Sequence, residues 1–379
     1  MVRFCDIKIH DTTLRDGEQM PGVVFSPKQK IELATLLSDF GVSYIELMPA
    51  VFSEEMMVAK TLVGMGLASK LTASTMLNKD SVDLALECGL ECITLFTPLS
   101  DIQLDTVGIG RSENLRKSLE LVDYALSHGL RVGFAGVDVT RADMEYVLSF
   151  MNALPRRMEY FMVCDTLGCM TPMKAYAFFN EICSKTHLPV CLHEHNDFGL
   201  ATANTLMGIS AGAEMFSGTF TGIGERAGNA PIEEVVSSLK FLYDVDLPVK
   251  YERMTEICNM VEKHSEVRLQ DHKPIVGRNA FRHESGIHVD ALLKDADSYE
   301  IFNPVLVGQK RTLAVGKHSG GCIVDFLAGK KYKAKDRYEI LKEIKSESQR
   351  IGRSLTRAEA MKILRFTESQ HKKMGDLYA

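Results

Sequence analysis

Residues 7–47 read IKIHDTTLRDGEQMPGVVFSPKQKIELATLLSDFGVSYIEL and contain one complete strand–helix–strand unit. The runs Ile7–His10 and Ser43–Leu47 are short and apolar with β-branched residues, which is typical of buried strands. Between them, Pro27–Phe40 carries apolar residues at helical spacing, and Ser26 stands where an N-cap is expected. The stretch therefore predicts two parallel strands joined by a helix.

The same unit recurs along the chain. Further strand candidates alternate with amphipathic stretches such as Asn114–His128, which ends at the stop signal Gly129. The other strand candidates are Lys70–Ser74, Cys92–Phe96, Arg131–Phe134, Tyr160–Val163, Val190–His193 and Met215–Thr219. Eight alternations predict an α/β fold, a (β/α)8 TIM barrel. An open doubly wound sheet is the alternative, but the Gly-rich phosphate loop it would carry after the first strand is missing from the sequence.

The alternation predicts three segments. We assign residues 1–248 to the barrel and residues 249–330 to a small mixed subdomain with Gly-rich turns. Residues 331–379 are highly charged and follow a helical pattern, which predicts a C-terminal helical segment.

Composition excludes several classes of function. The 379 residues carry a formal charge of −6, so the composition gives no sign of the excess positive charge that binding to nucleic acid or an anionic membrane requires. No apolar run approaches the ~20 residues that span a bilayer, and the N-terminus reaches charged residues too early for a signal peptide. The nine cysteines lack zinc-ribbon spacing, as in Cys88/Cys92 and Cys164/Cys169. These features predict reduced thiols in a cytoplasmic protein.

Polar residues at the carboxyl ends of the predicted strands are candidates for a metal site, because barrel active sites lie on that rim. His193 and His195 end strand 7 two residues apart, so both side chains face the barrel interior, whereas Glu194 faces the helices. Asp16 follows strand 1 on the same rim. One carboxylate and two imidazoles suit a divalent ion that also holds a substrate. The alternatives are a hydrogen-bonded histidine pair and an ordinary loop acid.

Arg15 adjoins this group. A guanidinium beside a metal can stabilise an oxyanion that develops on a carbonyl oxygen. Alternatively, Arg15 forms a structural salt bridge, for which Glu46 at the end of strand 2 is the candidate partner.

Five segments resemble the signature segments of the homocitrate, isopropylmalate and citramalate synthases, in the order of that family. They are DTTLRDGEQ (11–19), DTLG (165–168), HEHNDFGLA (193–201), GIGERAGNAP (222–231) and FRHESGIHVD (281–290). The stretch FTPLSDIQLDTVGIGR (96–111) most resembles the short, nitrogen-fixation type of homocitrate synthase.

The resemblance implies an acyltransferase that condenses acetyl-CoA with a 2-oxo acid and releases CoA, in amino-acid biosynthesis. It implies Asp16, His193, His195 and Asn229 at a divalent metal (Mg2+, Mn2+ or Zn2+). It implies Arg15 at the keto oxygen, Thr166 at the carboxylate, Gln19 and Glu46 as supports, and His288 and Tyr299 in the deprotonation of the acetyl methyl group. From residues alone, His288 would be a surface or packing histidine. The family also implies a homodimer in which the HESGIH segment reaches the partner's barrel.

The acceptor that the resemblance favours is 2-oxoglutarate, which would give homocitrate; citramalate, isopropylmalate and citrate remain open products. The sequence departs from the family at strand 5, where Val137 replaces a Glu and Gly133 replaces the Arg of lysine-pathway enzymes. Ser74–Met76, at the end of strand 3, lacks the usual basic residue or histidine. The substrate tail therefore has no evident cationic partner.

Two other functions stay open. These departures would fit a degenerate barrel that binds metal and a 2-oxo acid without turnover. A cleaving lyase resembling hydroxymethylglutaryl-CoA lyase would carry a catalytic Cys near the last strand, and GIGERAGNAP has none.

Overall fold

Eight parallel strands close into a barrel in a computed structural model that describes residues 6–377. In chain order they are β1 (Lys8–Asp11), β2 (Tyr44–Leu47), β3 (Lys70–Thr75), β4 (Cys92–Pro98), β5 (Arg131–Val137), β6 (Tyr160–Asp165), β7 (Val190–Glu194) and β8 (Met215–Gly218). Each strand pairs with the next, and β8 pairs with β1. All eight predicted strands and the TIM-barrel fold are confirmed.

Helices cover the outside of the barrel, as expected for β–α alternation. They are α1 (Pro27–Phe40), α2 (Ser53–Met65), α3 (Lys79–Glu87), α4 (Asp101–Val107), α5 (Arg111–Ser127), α6 (Met144–Ala153), α7 (Pro172–Lys185), α8 (Ala201–Ser210), α9 (Ile232–Leu242) and α10 (Met254–Ser265). The predicted bounds of α1 are confirmed, and Ser26 caps it in a capping box with Gln29.

Helix α5 begins earlier than predicted. It starts at Arg111 rather than Asn114. The prediction missed the first turn because its residues are polar and add nothing to the apolar periodicity. Its predicted end is confirmed within one residue, since Ser127 is the last helical residue and Gly129 has a φ of 82°. Glycine adopts this left-handed conformation without a Cβ penalty.

The chain divides into two compact units, one ending at Leu269 and the other beginning at Gln270. Helix α10 packs on α1 within the first unit, although it lies in the 249–330 segment of the sequence. In the second unit, β9 (Arg282–His283) and β10 (Thr312–Leu313) pair in parallel. Its helices are α11 (Gly286–Leu292), α12 (Gly321–Ala328), α13 (Ala334–Ile351) and α14 (Arg357–Leu377).

Each unit has its own apolar core. In the second unit, Val315, Ile340, Ile344 and Leu364 are buried in one cluster, which explains the apolar stripe of the charged C-terminal helices. Among the described residues, no helix combines the length and apolar character that crossing a membrane requires.

Candidate metal centre and its surroundings

Asp16, His193 and His195 converge at the carboxyl-end rim of the barrel. Asp16 follows β1, His193 lies within β7 and His195 follows its end. One ligand atom from each lies within 4.8 Å of the others, and all three residues are buried. The Nε2 atoms of the two histidines are 3.3 Å apart, and Nε2 of His193 lies 3.7 Å from Oδ2 of Asp16. The predicted grouping of these side chains is therefore present.

The Nδ1 atom of each imidazole lies close to a polar neighbour, while Nε2 faces the other histidine. Nδ1 of His193 lies 3.1 Å from Oγ of Ser217, and Nδ1 of His195 lies 3.2 Å from the carbonyl oxygen of Gly228. Since a carbonyl only accepts, Nδ1–H of His195 donates to it and leaves Nε2 with a free lone pair. Burial lowers the pKa of both histidines, so both are neutral near pH 7.

The donor set fits a divalent cation. Two nitrogens, each about 2.1 Å from one ion, stand about 3.0 to 3.4 Å apart at square or tetrahedral angles, which matches the observed 3.3 Å. Asn229 donates from Nδ2 to Oδ1 of Asp16 at 2.7 Å. Its Oδ1 is buried and has no hydrogen-bond partner among the described residues. An orphaned amide oxygen at this position is suited to the ion or to a ligand of the ion.

Gly224 makes room for this arrangement. A Cβ at Gly224 would lie 2.1 Å from Nδ2 of Asn229 and 2.6 Å from Oδ1 of Asp16. Its φ of 152° also lies in a region that other residues rarely adopt. The glycine of the GIGERAGN segment is therefore required by the close approach of Asn229 to Asp16.

Arg15 links the metal group to β2. Nε of Arg15 donates to Oε2 of Glu46 at 2.8 Å, and Nη1 donates to Oδ2 of Asp16 at 2.7 Å. Burial opposes the charge of Arg15, but Glu46 and Asp16 outweigh it and raise its pKa. Burial likewise opposes ionisation of Asp16, yet Arg15 and the two histidines hold its pKa far below the ordinary range. The salt bridge to Glu46 that we considered from the sequence exists, alongside contact with Asp16.

Thr166 and Gln19 lie on the same rim. Oγ1 of Thr166 accepts a hydrogen bond from the backbone N–H of Asp138 at 2.8 Å, so its own proton stays available to a ligand. Gln19 ends a short 3-10 helix, Gly17–Gln19, that directly follows Asp16, and its side chain is exposed.

The end of β5 offers no inward acid. Val137 is half-buried, and the carboxylate of the next residue, Asp138, accepts from Ser100 and from both Nε and Nη2 of Arg141. Asp138 has a φ of 59°, a left-handed conformation that Asp tolerates better than most residues. The carboxylate is thus fully buried in its own network and does not substitute for the Glu that Val137 replaces.

His288 and Tyr299 contact each other in the second unit. Their rings stack with centroids 4.0 Å apart and planes inclined at 26°. The next residue, Glu300, is bound by Nε and Nη2 of Arg311 at 2.7 and 2.5 Å. This ion pair fixes the backbone that carries Tyr299. The family resemblance implied roles for the histidine and the tyrosine, whereas the supporting acid and arginine became evident only in the structure.

Lys30 was also missed. Its fully buried ammonium lies between Glu18, in the loop that carries Asp16, and Glu55, in the first turn of α2. A signal was present, because Lys30 falls on the stripe of Leu33 and Leu37 that α1 turns to the core. A lysine in such a stripe needs buried acidic partners.

Comparison with known proteins places the chain in a family. Residues 6–261 match the HMGL-like family model, and residues 275–351 match the model described as homocitrate synthase post-HMGL domain-like. The homocitrate synthase of Methanocaldococcus jannaschii is 40% identical over 361 residues, which cover 93% of this chain and 88% of that protein.

Two other enzymes of that organism are equally similar. Its (R)-citramalate synthase is 40% identical and its 2-isopropylmalate synthase 39% identical, each over 317 residues and 83% of this chain. The chain spans 65% and 61% of their lengths. Overall sequence identity therefore does not favour one of these three relatives over the others.

Solved structures support the architecture. The Bacillus subtilis HMG-CoA lyase superposes with a TM-score of 0.62 at 23% identity, covering 73% of this chain and 97% of that one. This likeness concerns the fold alone. The chain belongs to the HMGL-like family, in the group that holds the homocitrate, citramalate and 2-isopropylmalate synthases, as its five signature segments predicted.

Proposed function

We propose that this protein is an acyltransferase that joins acetyl-CoA to the keto carbon of a 2-oxo acid and releases CoA. The observation that carries the proposal is the buried Asp16–His193–His195 group with Arg15 against it. These three side chains would hold a divalent ion with open positions, which would suit the two adjacent oxygens of a 2-oxo acid. Mg2+, Mn2+ and Zn2+ are the candidate ions.

Each of the site residues has its own role in the proposed reaction. Asp16, His193 and His195 hold the ion, which supplies Lewis acidity when bound. The Arg15 guanidinium stabilises negative charge on the keto oxygen, a contribution typically worth about 3 kcal/mol. The Thr166 hydroxyl donates to the carboxylate of the acceptor, and Asn229, Glu46 and Gln19 support this group.

The acetyl group reacts through its methyl carbon. The imidazole of His288, stacked on Tyr299, takes a methyl proton, and the resulting enolate carbon forms a C–C bond to the keto carbon. The keto oxygen becomes an alkoxide and takes up a proton, and the protonated His288 gives its proton back, so that no net proton is gained or lost in the condensation. Hydrolysis of the thioester consumes one water, breaks the C–S bond and releases CoA, which makes the sequence irreversible.

We further propose that the protein acts in the cytoplasm as a homodimer. In this arrangement the segment with His288 and Tyr299 would serve the barrel of the partner. Within the described residues of the second unit, this segment has an exposed surface, since Tyr299 is 44% exposed and Ile301, two residues later, is 80% exposed.

Release of CoA tests the main proposal. The purified protein is incubated with acetyl-CoA, Mg2+ or Mn2+ and a panel of 2-oxo acids, and free CoA is followed with a thiol reagent. We expect Asp16→Asn to abolish metal binding by calorimetry and CoA release together. Asp39→Asn, a matched change on the surface of α1, should leave both unchanged. No CoA release with any acceptor would refute the proposal.

A second candidate is a barrel that binds metal and a 2-oxo acid without turnover. The observation favouring it is the end of β5, where Val137 is apolar and Asp138 is held by Ser100 and Arg141. Tight binding of a 2-oxo acid by calorimetry, with no CoA release at high protein concentration, would favour this candidate.

A further inference from the structure

The inner wall of the barrel opposite β8 and β1 carries no charge beside the metal group. Phe96 on β4 pairs in register with Ala135 on β5, which pairs with Met162 on β6. Phe96, Ala135, Met162 and Cys164 belong to one apolar cluster in the barrel interior, and Cys164 is the register partner of His193. The side of the barrel interior that adjoins His193 through Cys164 is therefore apolar.

Deeper in the barrel, Tyr160 and His10 fill the interior on this side without adding a charge. A Cβ at Gly133 would lie 2.4 Å from Cζ of Tyr160, so the tyrosine ring occupies the space that a side chain at position 133 would need. The Tyr160 hydroxyl lies 3.0 Å from Nε2 of His10 and 2.6 Å from Oγ1 of Thr94. Burial lowers the pKa of His10 to about 4, so its ring is uncharged near pH 7. This filling limits how far a substrate tail can extend.

The cations near the rim are already engaged. Arg15 is bound by Glu46 and Asp16, and Arg141 by Asp138. Arg226 is bound by Asp197 and by the carbonyl oxygen of Thr166. Met76, just past the end of β3, is uncharged and 41% exposed. Within residues 6–269, none of these positions offers an unpaired positive charge to a second carboxylate.

We infer that the acceptor is a monocarboxylic 2-oxo acid with a short, uncharged tail. The inference rests on the proposed function and names the substrate class of the same site. A distal carboxylate would be desolvated against Phe96, Ala135 and Met162 without a cation, which is costly. An apolar tail gains contact with the same wall. The 2-oxoglutarate that the sequence favoured is therefore the less suitable acceptor.

Pairs of acids matched in length test the inference. 2-Oxopentanoate and 2-oxoglutarate share five carbons, and 2-oxobutyrate and oxaloacetate share four, so each pair differs in the distal carboxylate alone. Binding to the Mg2+- or Mn2+-loaded protein is measured by calorimetry, and CoA release is measured in parallel. We expect the neutral member of each pair to bind at least about tenfold more tightly and to be the better acceptor.

The outcomes are distinguishable. Equal or tighter binding of the dicarboxylates, or their preferential turnover, overturns the inference but leaves the proposed function standing. Absence of binding and turnover with all four acids overturns the inference, whereas the proposed function is refuted only if no acid of the wider panel gives CoA release.

A substitution on the wall provides a second measurement. Ala135→Arg should shift the ratio of affinities towards 2-oxoglutarate by about tenfold or more, because it supplies the missing cation. Ala135→Met, similar in length but uncharged, should not shift the ratio towards 2-oxoglutarate, because it supplies no cation. If Ala135→Arg fails to fold, the matched acids still decide the question with the unmodified protein. An unchanged ratio in folded Ala135→Arg would show that the tail does not face this wall.

Discussion

At the scale of single residues, a substitution at position 137 tests whether the proposed catalytic group lacks one of its members. The family resemblance implies a Glu that supports the catalytic histidine, and Val137 stands there at the end of β5. We predict that Val137→Glu raises the rate constant for CoA release by about tenfold or more, because a carboxylate near a proton-transfer group is typically worth that much. Steady-state kinetics with saturating acetyl-CoA measure the effect.

Val137→Gln is the matched control, since the Gln side chain has the size of Glu and cannot ionise. An increase with both variants would assign the gain to polarity alone. A loss with both would show that the apolar side chain is required at this position, and that the chain has replaced the family's arrangement by another.

His10 gives a prediction for stability against pH. Burial is the main cause that lowers its pKa to about 4 from an ordinary 6.5, and its Nδ1 has no hydrogen-bond partner among the described residues. The unfolded chain binds a proton at higher pH than the folded chain, so acid favours unfolding. The stability due to neutral His10 is therefore complete above about pH 6.5 and is lost as the pH falls towards 4.

Comparison with His10→Gln, which does not titrate, isolates this effect. Between about pH 7 and pH 4 we expect the unmodified protein to lose up to about 3 kcal/mol of stability relative to the variant. Urea midpoints at several pH values measure the difference. A stability difference between the two proteins that does not change with pH would contradict the burial of His10.

At the scale of elements, one buried lysine joins the loop that carries Asp16 to helix α2. Lys30 on α1 contacts Glu18 in the loop after β1 and Glu55 on α2. Glu18 also accepts the backbone N–H of Phe25 at 2.8 Å, which closes the same loop. The position of Asp16 therefore depends on a side chain that lies outside the Asp16–His193–His195 group.

Lys30→Met should lower both stability and metal affinity. Removing one partner of a buried ion group leaves the acids uncompensated and typically costs about 3 kcal/mol. Thermal unfolding and metal calorimetry measure the two effects. Lys28→Met on the same helix is the control, because that side chain is 87% exposed and its pair with Glu32 spans 3.9 Å. It should change stability by no more than about 0.5 kcal/mol.

At the scale of the whole molecule, the proposed exchange of segments between protomers can be tested by mixing inactive variants. Asp16→Asn disables the barrel, and His288→Ala disables the second unit. In a swapped dimer, mixed protomers form one intact site from the two intact parts. After mixing and exchange we expect roughly a quarter of the normal activity, whereas each variant alone should be inactive.

The absence of recovered activity, with heterodimers demonstrated by differential tags, would place His288 on the barrel of its own chain. A monomer in solution would refute both the exchange and the dimer. Neither outcome would affect the proposed metal group, because Asp16, His193 and His195 all lie in the first unit.

The sequence by itself determined what depends on local pattern. The eight strands, the bounds of α1, its Ser26 cap and the stop at Gly129 follow from side-chain periodicity and backbone preference over a few residues. The rim position of Asp16, His193 and His195 also followed, because a barrel brings every strand end to one rim.

Tertiary structure alone decided which partner each polar side chain takes. Arg15 binds both Glu46 and Asp16, Asp138 turns to Ser100 and Arg141, and Tyr160 fills the space beside Gly133. These choices join residues far apart in the chain, and each depends on which neighbours remain desolvated once the barrel has closed. No local pattern carries that information, since burial and charge pairing are properties of the assembled interior.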